Sequence, residues 1–278
     1  MLTIDFSLII EHLKSKKATP SARITNILRD DFTLHKLLLK CIDEQEVDVL
    51  YTLIMMSIEF DQSREYTHEQ IQLRLHDRLA ECICHSCEQG ELAMCHIFHH
   101  QYKVRDSFAW SKGLTHAIRN KQHACIRFIL EQHLCKATLE HYSEATYKCD
   151  ALSLVLMHHA DYSLVTLSHP NSMNLILHAC HVNWTEGIDW LVRNGCPLTV
   201  KCTTYAAHLG QLECLQLLID LHCPCSVETI RLCRERSKKA TCVEESRRYK
   251  ECEELLINAR RNDLVVFEAE KCVCCLIA

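Results

Sequence analysis

Cysteine and histidine supply most of the chemistry-bearing side chains in this 278-residue chain, which holds 20 Cys and 19 His. The densest stretch is Cys82-Ile83-Cys84-His85-Ser86-Cys87, followed closely by Cys95, His96, His99 and His100. Zinc needs four such groups converging tetrahedrally. On a helix Cys84 and Cys87 share one face, as do His96 and His100, so spacing alone permits a site. No second Cys-x-x-Cys follows at finger spacing, and histidines this frequent cluster by chance. The expectation is therefore no metal and no cofactor, with a zinc-binding helical protein kept as an alternative. His158-His159 and Cys223-Pro224-Cys225 read as a helix end and a turn.

A second chemistry lies in the last four residues, Cys275-Leu276-Ile277-Ala278. A thiol, two aliphatic residues and a final Ala satisfy the C-a-a-X pattern that a eukaryotic prenyltransferase reads, with Ala favouring a farnesyl group. One lipid gives only marginal membrane binding, so a second signal is needed. No basic run precedes the box, and Cys274 and Cys272 are the palmitoylation candidates. The alternative is an apolar terminus that ends this way because the chain is rich in cysteine.

Catalytic patterns are missing from the sequence. It has no Gly-rich phosphate loop, no Gly-x-Ser-x-Gly and no His-Glu-x-x-His. A Cys–His nucleophilic pair could be drawn almost anywhere, which is why it carries little information. The acidic residues Glu244, Glu245, Glu251, Glu253 and Glu254 alternate with Arg247, Arg248 and Lys250, the pattern of a solvated helix face laced with ion pairs. The expectation is a binding protein, not an enzyme. A net charge of −5 and a pI near 6.4 argue against nucleic acid as partner.

What positions these residues is a repeat. Lys201–Pro224, KCTTYAAHLGQLECLQLLIDLHCP, holds two short helical patterns on either side of Gly210. Small Ala206 and Ala207 admit a close neighbour, and Leu212, Leu215, Leu217, Leu218 and Ile219 form a wide apolar stripe. Asn174–Pro197 aligns on it without a gap at a shift of 27, placing Ala179 on Ala206, Glu186 on Glu213 and Cys196-Pro197 on Cys223-Pro224. A further shift of 62 brings Lys112–His133 into register, with Ala117 at the small position. Such self-similarity marks helix pairs that bury their apolar faces only by stacking on copies of themselves.

The stretch AAHLGQLECLQLLI resembles the ankyrin repeat, through Ala206, Ala207, Gly210, Glu213, Leu217 and Leu218. It departs from that family where KCTT replaces the usual T-P-L-H opening, where Asn183 stands for Gly, and in a spacing of 27 instead of 33. Those departures bear on the β-hairpin tips more than on the helices. The resemblance implies an all-α, ankyrin-like helical solenoid of stacked helix pairs with short turns. It also implies a concave face that binds an unidentified protein partner, for which Lys201, Thr204, Tyr205, His208 and His181 are the candidate surface residues. Together with a lipid anchor it is similar to ankyrin-type effectors that intracellular bacteria deliver into host cells, and to ankyrin proteins of protists and large viruses.

The remaining chain divides accordingly. Residues 1–30 are expected to be capping helices, 31–260 degenerate repeats clearest at 112–133, 174–197 and 201–224, and 261–278 a tail bearing the box. The N-terminus has neither the charge pattern of a secretory signal nor the length of a membrane span. Phe32–Ile42 with Glu46–Ser57 forms one divergent pair, with Leu37, Leu38, Val49, Leu50 and Leu53 inward. Thr67–Cys87 with Gly90–His100 forms another, Gly90 matching Gly210. Ala151–His159 is helical but has no register fixed by sequence. The cysteines at small or apolar repeat positions, such as Cys180, Cys125, Cys214 and Cys95, are expected to be reduced thiols packed as small hydrophobes. The functional expectation is an adaptor held on the cytosolic face of a membrane, with an untethered cytoplasmic scaffold as the alternative.

Overall fold

The computed structural model describes residues 6–14, 22–64, 66–100, 104, 106–160, 172–262 and 267–268. Thr19-Pro20-Ser21 and the tail cysteines Cys272, Cys274 and Cys275 lie outside the described residues. The described chain is all-α apart from two strands of two residues each. It divides into two compact units, Met1–Lys136 and Ala137–Ala278.

The first unit holds α1 (Phe6–Lys14), α2 (Ala22–Arg29), α3 (Asp31–Asp43), α4 (Val47–Ser63), α5 (His68–Gln89), α6 (Leu92–His100), α7 (Ser107–Arg119) and α8 (His123–Glu131). Helices α3 and α4, α5 and α6, and α7 and α8 are antiparallel pairs, and α3, α5 and α7 lie side by side. Helices α1 and α2 pack on α3 and α4. The second unit repeats the scheme with α9 (Leu139–Tyr147), α10 (Ala151–Ala160), α11 (Met173–His181), α12 (Thr185–Arg193), α13 (Val200–Leu209), α14 (Leu212–Asp220), α15 (Val227–Lys239) and α16 (Val243–Arg261). There α9, α11, α13 and α15 form the row of first helices, while α12, α14 and α16 neighbour one another behind it.

One turn is used six times. Each pair bends at a residue with left-handed backbone: Gln45 (φ 57°), Gly90 (81°), Lys121 (55°), Cys149 (48°), Asn183 (54°) and Gly210 (69°). The next residue's N–H then donates to the carbonyl five positions back. These bonds run from Glu46 to Cys41 (2.8 Å), Glu91 to Ser86 (2.8 Å), Gln122 to Ala117 (2.8 Å), Asp150 to Ala145 (3.0 Å), Trp184 to Ala179 (2.9 Å) and Gln211 to Ala206 (3.0 Å). This bond satisfies a carbonyl left open at the helix end. The accepting residue is small and fully buried in all six, because the neighbouring pair's helix passes over it.

Burial keeps the same register. Eight residues after the bend stand Leu53, Phe98, Ile129, Met157, Leu191 and Leu218, all with no exposed surface. Seven residues before it stand Leu38, Ile83, Leu114, Tyr142, Ile176 and Thr203, likewise buried. The turns after second helices use the same device at His133, Gly195 and His222, where Leu134, Cys196 and Cys223 donate to Ile129, Leu191 and Leu218. No strand hairpin joins pairs among the described residues. Strand β1 (Cys225–Ser226) instead pairs in parallel with β2 (Phe267–Glu268).

Local signals set the helix starts. Thr67 and Gln70 form a reciprocal capping box, and Asp106 accepts from the N–H groups of Phe108 and Ala109. Helices α3, α4 and α5 are further tied by charge. Asp61, buried at the end of α4, accepts from Arg78 at 2.9 Å, and Arg74 lies 3.4 Å away. Both arginines reach on to the exposed Asp31 of α3.

Candidate functional site

Positions five and two residues before each bend lie three apart, so they share one face of the first helix. In the second unit this face carries Glu144 and Tyr147 on α9, His178 and His181 on α11, and Tyr205 and His208 on α13. These side chains meet from helix to helix. The rings of Tyr147 and His178 stack with centroids 4.4 Å apart, and His181 stands edge-on to Tyr147 at 6.0 Å. Tyr205 Oη lies 3.5 Å from His181 Nδ1. His208 Nε2 then meets the Arg236 guanidinium of α15, while Tyr249 donates from its hydroxyl to the His208 carbonyl at 3.1 Å.

The first unit carries the same ladder in another chemistry. His85 Nε2 of α5 lies 2.6 Å from Asp43 Oδ1 of α3, and His116 Nδ1 of α7 lies 3.3 Å from Glu88 Oε2 of α5. Polar pairs of this exposure contribute on the order of 1 kcal/mol or less each. They therefore register neighbouring helices more than they stabilise them. In the second unit burial lowers the pKa of His178, with His181 adding to the effect, and lowers that of His208, with Arg236 adding. Both rings are thereby biased towards the neutral form. Helices α11 and α13, MNLILHACH and VKCTTYAAHL, carry no carboxylate. The row is thus aromatic and imidazole along α11 and α13, with Glu144 of α9 at one end and Arg236 of α15 at the other.

The structure brings His181 and Tyr205 together and puts His208 on the same strip. Half-buried Lys201 lies one turn before Tyr205 on α13. Thr204 is a correction: it is 1% exposed and its Oγ1 lies 2.9 Å from Thr229 Oγ1 of α15. One residue's rotation from Tyr205 turns it into the packing between first helices, out of a partner's reach. Tyr147, His178 and Arg236 were not read from the sequence. The signal for Tyr147 was its register to the bend, hidden because Cys149 does not advertise a left-handed residue, whereas His178 stands 27 residues before Tyr205, the shift that aligns the two repeats.

The Cys/His stretch of α5 and α6 is split by its helices. Cys82 and Cys87 are fully buried, and His85 turns to Asp43. Cys87 Sγ lies 3.7 Å from Cys95 Sγ, while His96 packs on Phe128 with centroids 4.3 Å apart. Among the described residues no three His, Cys, Asp or Glu side chains converge to hold a metal ion. Cys223 and Cys225 are buried in the turn after α14, where Cys223 Sγ donates to the Thr199 carbonyl at 3.3 Å. No helix of the described residues is long and apolar enough to cross a membrane. Compared with family models, curated proteins and solved structures, the chain matches none.

Proposed function

We propose that this chain is a protein-binding adaptor of the ankyrin-like type, tethered to the cytosolic face of a membrane by a prenyl group on Cys275. One observation supports the binding half: the continuous strip Tyr147, His178, His181, Tyr205, His208 and Arg236 across four consecutive first helices. Tyrosine and arginine are enriched among the residues that dominate interface energetics, tyrosine through its large rigid ring and arginine through its planar fork of donors. Each helix lends one or two side chains, and the buried register behind them leaves those positions free to vary. The reading includes no catalytic step. The six left-handed bends support reading the helices as stacked pairs.

The tether half is supported by the sequence Cys275-Leu276-Ile277-Ala278 and applies where Ala278 closes the chain. Two experiments separate the halves. A photo-crosslinking residue at Tyr205, expressed in eukaryotic cells, is expected to capture a discrete protein, and capture is expected to fall at least tenfold with His181→Ala. Membrane recovery is expected for the wild type and is lost in Cys275→Ser. Wild type and mutant both wholly in the cytosolic fraction would leave the untethered scaffold as the function.

A further inference from the structure

Helices α15 and α16 form the last pair of the second unit, and no following pair covers them among the described residues. Between them opens a cleft of about 360 Å³, floored by Val227, Ile230 and Ile257 and rimmed by Arg231, Arg234, Arg260 and Arg261. Two of those arginines already hold carboxylates. Arg231 pairs with Glu228, and Arg234 lies 2.7 Å from Glu253. Their aliphatic stems extend the apolar floor while the charged heads are engaged. The floor thus asks for an apolar cover, and an anion binding at Arg231 or Arg234 would have to displace the carboxylates already there.

The chain itself delivers such a segment. Strand β2 runs parallel to β1, with Cys225 opposite Phe267 and Ser226 opposite Glu268. Ser226 leads directly into Val227, the first residue of the cleft floor. Glu268, the last described residue, therefore lies opposite the residue that leads into the cleft floor. The ten residues 269–278, AEKCVCCLIA, follow. They reach about 30 Å when extended, whereas the floor from Val227 to Arg234 spans about 10 Å of helix. Their only charged side chains are Glu270 and Lys271, which cancel, and Val273, Leu276 and Ile277 supply apolar surface.

We propose that residues 269–278 dock in the cleft between α15 and α16, covering Val227, Ile230 and Ile257 and withdrawing the thiols of Cys272, Cys274 and Cys275 from solvent. Docking and lipidation then compete for the same cysteines, so the tail is released before it is modified. Only that consequence rests on the tether reading; the docking itself does not.

The test is site-resolved alkylation of the full-length unmodified protein by iodoacetamide, followed by peptide mass spectrometry. A synthetic peptide of residues 269–278 gives the rate of the free tail. The tail thiols of the wild type are expected to react at least tenfold more slowly than the peptide. Val227→Asp, which places an acid at a helix N-terminus where it is tolerated, and Ile257→Asp are each expected to restore the peptide rate. Cys149 and Cys242 are exposed and are expected to keep their rates in every variant. Wild-type tail thiols as fast as the peptide would overturn the proposal, as would protection that survives both substitutions with helicity unchanged. Protection that fades on dilution would overturn it too, because the cleft would then hold the tail of a second copy. Farnesyltransferase acting on the same synthetic peptide tests the tether separately, since a peptide that resists farnesylation ends that reading without altering the alkylation result.

Discussion

At the scale of single residues, the chain shows how a buried charge is made tolerable and what it then commits. Asp61 is 1% exposed, and its carboxylate is compensated by Arg78 and Arg74, themselves mostly covered. Removing one partner of such a group leaves charges buried without compensation, at a cost of about 3–5 kcal/mol. Asp31 meets the same two arginines from the solvent side, where an ion pair contributes about 0–1 kcal/mol. Asp61→Ala is therefore expected to lower the urea midpoint of unfolding severely, and Asp31→Ala only slightly. Equal effects would show that the network acts through the exposed carboxylate. This cluster was not legible beforehand. Asp61, Arg74 and Arg78 lie on two helices whose register only the fold sets, and a carboxylate inside DQSRE looks like any surface acid. Thr204 was misplaced for the related reason that one residue's step on a helix, about 100°, separates the binding strip from the packed side.

At the scale of elements, the repeat lives in its bends, and the bends explain which pairs the sequence revealed. Gly90 and Gly210 advertise a left-handed residue. Gln45, Lys121 and Cys149 adopt the same backbone without advertising it, so the pair at α9 and α10 stayed without a register until Cys149 fixed it. The buried small residue before the bend is Ala in four pairs but Cys41 and Ser86 in the other two, which weakens any match made on Ala alone. The helices themselves were legible. Leu37, Leu38, Val49, Leu50 and Leu53 are buried as their spacing requires, and so is Cys95. Two substitutions separate bend from helix. Lys121→Gly removes a β-carbon from a left-handed residue and is expected to stabilise the protein by up to about 1 kcal/mol. Gly187→Ala lies in the interior of α12, where propensity alone favours Ala by about 1 kcal/mol. There the new methyl would stand 2.1 Å from the Trp184 ring, so the net effect is expected to be destabilising. A raised melting temperature for Gly187→Ala would show that the indole swings away at little cost.

At the scale of the whole molecule, the cysteines decide between a packed core and a metal or disulfide framework. Fourteen of the seventeen cysteines among the described residues are buried and spread through both units, and several, such as Cys41 and Cys95, take positions that Ala, Leu or Ile fill in neighbouring pairs. Burial pushes Cys41, Cys82, Cys135, Cys196, Cys233 and Cys252 up to about 12. Since the thiolate is the reactive form, a rise of about three units slows reaction on the order of a thousandfold through ionisation alone, before the steric barrier is counted. A thiol reagent added to the native protein at neutral pH is therefore expected to modify Cys149 and Cys242 promptly and Cys84 more slowly. The fourteen buried thiols are expected to react only as the chain unfolds. Three outcomes are distinguishable. Buried thiols released by denaturant alone mark a core in which cysteine serves as a small apolar side chain. Thiols released by a chelator without denaturant mark ligands to a metal. Thiols that need a reductant even in denaturant mark disulfides. The first is the expected outcome, because ten of the fourteen buried sulfurs sit one or two to a helix and the other four in the turns and strand that follow second helices, and no three ligand side chains converge among the described residues.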